Sequence, residues 1–142
     1  MREVVIVDGM RTAFGRMGGA LRPFTPVQLA GMTIKGLCDK TDILNKGKVD
    51  AVFAGSASGD VNTHNFARYA SLIAGLPYET SATFIEMQCG SSIACINNAA
   101  LQIQAGIIDV AICGGAEAHS QDYYKFPASV EPYKDHPPTA AP

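Results

Sequence analysis

The sequence predicts an α/β protein in which a mostly parallel sheet lies between layers of helices, an α-β-α arrangement. Four short apolar runs, residues 4–7, 49–54, 83–88 and 109–113, read as strands. Between them, apolar residues recur at helical spacing over residues 27–40, 65–75 and 90–104. Strand–helix–strand repeated three times is typical of a parallel sheet with helices on both faces.

Local signals support the individual elements. The run at residues 4–7 is continuous and β-branched, as expected of a strand buried on both faces. Pro26 lies where the helix predicted at residues 27–40 should begin. Gly75 and Pro77 lie where the helix predicted at residues 65–75 should end. The stretch from residue 92 to 104 is largely apolar, interrupted mainly by Asn97, Asn98 and two glutamines near its end. Such a pattern predicts a buried helix, which suits a central helix between two halves of a molecule.

Composition narrows the class of protein. A chain of 142 residues, 47% of them apolar, is long enough for one domain with its own core. The formal net charge of −2 gives no reason to expect nucleic acid as a partner, and no apolar run approaches the ~20 residues of a membrane span. The four cysteines are widely spaced within predicted helices and strands, unlike a disulfide scaffold, so we expect a reduced, cytoplasmic protein.

The chain changes character near its end. Residues 1–120 carry the alternating pattern and are predicted to form one domain. Residues 121–142 contain several prolines and show no periodicity, which indicates the start of a loop region or linker that is cut short. Because nothing closes the domain after the fourth predicted strand, we expect an incomplete part of a larger fold.

Cys89 is the candidate functional residue. It follows the apolar run at residues 83–88 and precedes small residues and a predicted helix, so we expect a thiol at the first position of that helix. Unpaired backbone N–H groups and the positive end of the helix dipole favour a nucleophilic thiolate there. Ligands bind at the carboxyl ends of parallel strands, where Cys89, Gly114, Gly115 and the loops at residues 15–19 and 55–62 all fall.

The other cysteines have a simpler interpretation. Cys38, Cys95 and Cys113 fall on apolar faces or strands, so packing in the core is expected. For Cys89 itself, the local pattern favours a nucleophile and a buried structural thiol about equally. No metal site is predicted, because no Cys or His pair stands at ligand spacing.

Four ordered motifs resemble the N-terminal half of a thiolase of the acetyl-CoA acetyltransferase type. They are VDGMRTAFGRMGG at residues 7–19, NFAR at 65–68, QCGSS at 88–92 and GGAEAHS at 114–120. No single motif suffices, but together they cover about residues 4–120 in the right order and are specific. Thr63, His64 and Phe66 depart from the family's Gly-Gln-Asn-Pro-Ala-Arg pattern, and Ala116 and His119 stand where methionines are usual.

The resemblance implies a fold and a reaction. The fold is the N-terminal half of a duplicated two-domain thiolase fold. Cys89 would hold an acyl group from acyl-CoA as a thioester, with its backbone N–H in the oxyanion hole. A second acyl-CoA, deprotonated at its α-carbon, would then attack the thioester, or free CoA would drive the reverse cleavage. No cofactor is implied beyond coenzyme A as part of the substrate, and the implied assembly is a homodimer or homotetramer.

The family's remaining catalytic groups, a histidine in Gly-His-Pro and a cysteine in Cys-X-Gly, belong to its second half. Neither motif occurs here, since His136 follows Asp135 rather than glycine. A C-terminal half or a partner chain would have to supply them, so the chain alone is expected to be inactive. Two alternatives stay open: a decarboxylating condensing enzyme of the ketoacyl-synthase kind, and a non-catalytic thiolase-like subunit that binds acyl-CoA.

Four charged or titratable residues near the predicted site have no assigned role. His64 and His119 fall in loops at the same edge, where each would either line a substrate pocket or lie exposed. Arg11 and Arg68 are interpreted as scaffold charges, or as ties to a dimer partner or to Glu117. Residues that bind the acyl chain are not identified by the sequence.

Overall fold

Three parallel strands form the centre of the structure. The structure is a computed structural model and describes residues 2–60 and 62–123. The strands β1 (Ala51–Gly55), β2 (Ser81–Ile85) and β3 (Ala111–Gly115) lie in the order β2-β1-β3. Phe53 of β1 is aligned with Thr83 on one side and with Cys113 on the other. The predicted α/β class with a parallel sheet is confirmed.

The helices are α1 (Pro26–Thr41), the short α2 (Ile43–Lys46), α3 (Phe66–Ile73) and α4 (Ser91–Gln104), and a 3-10 turn follows at His119–Gln121. Helix α1 begins with a capping box, because Thr25 and Gln28 each accept a hydrogen bond from the other's backbone N–H. The Asn65 side chain caps α3 by accepting from the N–H of Arg68. The three long helices agree with the predicted ones within two residues at each end.

The two faces of the central strand β1 bury different layers. Val52 packs with α1 and α3 in a cluster that includes Phe66. Phe53, the next residue, points to the opposite face and packs with Cys95 of α4. All five residues of β1 are buried. The chain therefore forms three layers, with α1 and α3 on one side of the sheet and α4 on the other.

The prediction of a strand at residues 4–7 is wrong. Residues 4–7 belong to no strand in the part of the chain that the structure describes, and Val5, Ile6 and Val7 are 68%, 86% and 86% exposed. A β-branched run becomes a strand only where a neighbouring strand and covering layers accept it. Here the segment is held near its start instead, where Arg2 donates its N–H to the Gln104 carbonyl oxygen at 3.4 Å and pairs with Asp109.

Within the described residues, α4 is buried on one face only. Ser91, Cys95 and Ala99 are buried, but Ile93 and Leu101 on the other face are 62% and 63% exposed. The reason is that α4 packs on the sheet with one face, while its opposite face has no covering layer within the described residues.

The predicted linker at residues 121–142 lies outside the described residues from residue 124 onward. Within residues 2–60 and 62–123, no helix is both long and apolar enough to cross a membrane.

Asp50 ties together the starts of β1 and β3, at the end of the sheet away from Cys89. Its carboxylate accepts from the N–H groups of Asp109 and Val110 at 2.9 and 3.1 Å and pairs with Lys48 at 2.9 Å. The Lys48 ammonium and these two N–H groups lower the pKa of Asp50 to about 2. Asp50 is therefore a charged clamp between two segments that are far apart in the chain.

We expect this clamp to make stability depend on acid pH. Because the native pKa lies below the ordinary value of 3.8, the stabilisation is complete above that value and is lost as the pH falls toward 2. The variant Asp50→Asn should thus be less stable than wild type at pH 7 and differ little from it at the acid end. Urea unfolding of the natural-length protein at several pH values measures this, and a difference that is constant with pH contradicts it.

Candidate active site

A cavity of about 610 Å³ lies at the carboxyl edge of the sheet. Its walls are formed by the segments that follow β1, β2 and β3, together with the first turn of α4. Cys89 is among the lining residues. The loop at residues 15–19 reaches the same edge, since the N–H of Gly18 donates to the Ser120 hydroxyl at 2.8 Å. The segments after β1 and β3 thus share the cavity with Cys89, as predicted, whereas the loop at residues 15–19 contacts Ser120 and does not line the cavity.

Cys89 is exposed in a tight turn between β2 and α4. Gly90 is the N-cap and Ser91 the first helical residue, so Cys89 precedes the helix rather than occupying its first position as predicted. Gln88 has a left-handed φ of 50°, which residues other than glycine rarely adopt. A strained strand–turn–helix connection of this kind presents a nucleophile at the edge of a sheet.

The side chain of Ser91 stabilises this turn from its buried side. It is only 3% exposed, and its hydroxyl accepts from the N–H of Met87 at 2.9 Å and donates to the carbonyl of Gln88 at 2.7 Å. The N–H of Gly90 also donates to the Met87 carbonyl at 2.9 Å. The strained Gln88 conformation is therefore maintained by hydrogen bonds on both sides of Cys89.

Two glycines allow α4 to start directly against the sheet. A Cβ on Gly55 would lie 2.7 Å from the Cβ of Ser91. A Cβ on Gly115 would lie 2.5 Å from both the Gly55 carbonyl oxygen and the Ser92 hydroxyl oxygen. Because real side chains do not approach this closely, only glycine fits at the two strand ends that face the cavity.

Glu117 is a half-buried carboxylate in the cavity wall, which the sequence indicated only as a possible partner of Arg11 or Arg68. Its Oε1 accepts from the hydroxyls of Ser56 and Ser58 at 2.7 and 2.8 Å, and its Oε2 accepts from the N–H of Ala57 at 2.7 Å. Burial raises the pKa of Glu117, but these hydrogen bonds outweigh it and hold the pKa below its ordinary value. Glu117 is therefore an ionised clamp between the segments after β1 and β3.

The structure brings one of the two loop histidines to the cavity. His119 lines it, and its Nδ1 lies 2.9 Å from Oδ2 of Asp122, which raises the pKa of His119. Both side chains of this pair are more than half exposed. His64 is exposed and lies outside the cavity lining. Both histidines are thus exposed, and His119 also lines the cavity.

The two arginines have local partners. Arg68 donates to the carbonyls of Thr80 and Tyr78 at 2.8 and 3.1 Å, which fixes the connection between α3 and β2. Arg11 donates to the carbonyl of Thr12 at 3.0 Å. The scaffold interpretation is therefore supported for Arg68, and Glu117 is held by the loop after β1 rather than by either arginine.

The remaining cysteines are packing residues, as predicted. Cys38 and Cys95 are buried, and Cys113 is partly buried against α4. Burial raises the pKa of all three thiols, that of Cys95 to about 11. Across the described residues, no group of three or more His, Cys, Asp or Glu side chains is placed to hold a metal ion.

Known proteins share both the sequence and the fold. The family profile described as "Thiolase, N-terminal domain" matches residues 4–139. A steroid 3-ketoacyl-CoA thiolase of Mycobacterium tuberculosis is 39% identical over 122 residues, 85% of this chain and 30% of the relative. A 3-oxoadipyl-CoA/3-oxo-5,6-dehydrosuberyl-CoA thiolase of Escherichia coli is 41% identical over 123 residues, 85% of this chain and 30% of that protein.

A solved structure agrees with these relatives. The crystal structure of the Bacillus anthracis acetyl-CoA acetyltransferase superposes with a TM-score of 0.77 at 33% identity, covering 87% of this chain and 31% of that one. This chain thus spans about a third of the length of the proteins it matches. Because the family match runs over nearly the whole chain and the fold agrees with a solved relative, this chain belongs to the thiolase family and matches its N-terminal domain over residues 4–139.

Proposed function

We propose that this chain is the nucleophile-bearing part of an acyltransferase that forms or cleaves 3-ketoacyl-CoA through an acyl thioester on Cys89. The observation that carries the proposal is the exposed thiol in a strained, internally braced turn at the edge of the cavity. A cysteine used only for packing has no need of such a turn. The names of the relatives, which are thiolases and acetyltransferases of acyl-CoA, support the substrate class.

The proposed reaction has two steps. In the first, the Cys89 sulfur attacks the acyl-CoA carbonyl, the bond from that carbonyl to the CoA sulfur breaks, and the thiol proton ends on the departing CoA. In the second, a base removes an α-proton from another acyl-CoA, and the resulting carbanion attacks the acyl-Cys89 carbonyl. A carbon–carbon bond forms, the bond to Cys89 breaks, and the cysteine regains a proton.

N–H groups at the start of α4 are suited to the charge that develops on the carbonyl oxygen. Gly90 has no side chain, so no N-cap side chain occupies the N–H groups of the first turn. The N–H groups of Gly90 and Ser91 donate to the carbonyls of Met87 and Gln88, so the N–H groups further into this turn are the ones proposed to face the oxyanion. Together with the N–H of Cys89, this end of the helix dipole provides the proposed oxyanion hole.

Other parts of the machinery are proposed to lie outside this chain. The resemblance assigns an activating histidine and a second cysteine to the family's second half, supplied in the same protein or by a partner chain. We accordingly propose that residues 1–120 act as a domain of a cytoplasmic homodimer or homotetramer, that this chain alone does not turn over, and that coenzyme A enters only as part of the substrate.

Incubation of the natural-length protein with acetyl-CoA tests the proposal. After an acid quench and peptide mapping, we expect an acetyl group on the peptide that contains Cys89 and its removal when free CoA is added. The buried thiols Cys38 and Cys95 serve as internal controls and should stay unlabelled. Labelling of another cysteine, or none at Cys89, refutes the mechanism, and tight acyl-CoA binding without labelling indicates a non-catalytic subunit.

A further inference from the structure

Glu117 connects the exits of β3 and β1 at the cavity. It lies two residues after β3, and every hydrogen bond recorded for its carboxylate comes from the 56–58 segment that follows β1. The backbone adds to this connection, because the N–H of Ala116 donates to the Gly55 carbonyl at 3.1 Å. The Glu117 carboxylate therefore anchors the 56–58 segment through both of its oxygens.

The same segment contacts the turn that carries Cys89. The Ser91 hydroxyl oxygen lies 3.5 Å from the carbonyl oxygen of Ser56, and the backbone of Gly55 packs so closely on Ser91 that no Cβ fits between them. Ser91 in turn braces the left-handed Gln88, which immediately precedes the thiol. A continuous series of contacts thus runs from Glu117 through Ser56 and Ser91 to Cys89.

We propose that Glu117 is a positioning residue for Cys89, acting through Ser56 and Ser91 to hold the strained turn in its reactive orientation. The proposal rests on the function proposed above. A carboxylate suits this role because both of its oxygens accept. Oε1 accepts from the hydroxyls of Ser56 and Ser58 and from the Ser58 N–H, and Oε2 accepts from the Ala57 N–H.

The variant Glu117→Gln tests the proposal, because it keeps the side chain's size but turns one acceptor into a donor. In the natural-length protein we expect the single-turnover rate of Cys89 acetylation to fall by about 10- to 100-fold, the scale of effect produced by a displaced reacting group. Should Glu117→Gln fail to fold, Ser56→Ala removes one hydrogen bond to the same carboxylate and should slow acetylation in the same direction.

Asp50 offers a matched control. It too is a carboxylate that clamps two segments through backbone N–H groups, but at the opposite end of the strands. If Glu117 merely stabilised the fold, Asp50→Asn would slow acetylation as well. We expect Asp50→Asn to lower stability and leave the acetylation rate unchanged.

A double-mutant cycle with Ser91→Ala separates positioning from a general loss of stability. If Glu117 acts through Ser91, then Glu117→Gln should slow acetylation little further once Ser91 is alanine. A wild-type rate in Glu117→Gln, or a full and independent effect in the Ser91→Ala background, overturns the inference while leaving the proposed function intact. A wild-type protein that is never acetylated at Cys89 overturns both.

Discussion

Replacing Cys89 by alanine is expected to reduce acyl transfer by the natural-length protein at least about 10³-fold, because no other group takes over covalent catalysis when the nucleophile is removed. The side chain is exposed and makes no packing contact in either core cluster, so stability should stay close to that of wild type. Steady-state rates with acetyl-CoA, measured beside a thermal melt of each variant, check both parts.

Cys38→Ala is the control for the loss of a thiol. Cys38 is 3% exposed and packs in the cluster under α1, away from the cavity lining. Its replacement should cost some stability and leave the rate of acyl transfer unchanged. A Cys89→Ala protein that keeps a tenth or more of the wild-type rate would rule out the acyl-Cys89 intermediate.

The variant Phe66→Ala is expected to lower the free energy of unfolding by about 3–5 kcal/mol, the usual cost of removing a buried phenylalanine. Phe66 is 0% exposed at the start of α3, and its ring centroid lies 5.7 Å from that of Phe84 on β2. The substitution leaves a cavity between a helix and the sheet, where neighbouring side chains relax only in part. Urea unfolding of the natural-length protein gives the difference.

Tyr69→Ala provides the comparison on the same helix. Tyr69 is 48% exposed, so its removal should change the free energy of unfolding by about 0.5 kcal/mol or less, as for most surface positions. If both variants lost the same free energy of unfolding, Phe66 could not be the more buried of the two side chains in the folded protein.

The sequence predicts the three long helices well because their signals are local. Thr25 and Gln28 form a capping box three residues apart, and apolar residues recur every three or four positions along α1. Strand positions are predicted less accurately. Strand β3 runs through Gly114 and Gly115, residues of low strand propensity, because the ladder with β1 holds them there.

In residues 4–7 and in helix α4, strong apolarity is not matched by burial within the described residues. Both are strongly apolar, which predicts burial on two sides, yet Ile6 is 86% and Leu101 is 63% exposed. Removing an apolar side chain from water is favourable, but the side chain is buried only where a neighbouring layer of the fold covers it. The described residues supply one such layer to α4 and none to Ile6.

In the candidate site, too, some features follow from local sequence and others only from the tertiary structure. Cys89, the small residues after it and the glycines at the strand ends are consecutive or lie at strand termini. The position of this thiol at the carboxyl edge of the sheet therefore follows from the order of residues alone. The partners of Glu117 lie about 60 residues away in sequence, and the distance from Ser56 to Ser91 is 35 residues. Such contacts exist only once the strands align, because pairing in the sheet brings together loops that share no local pattern.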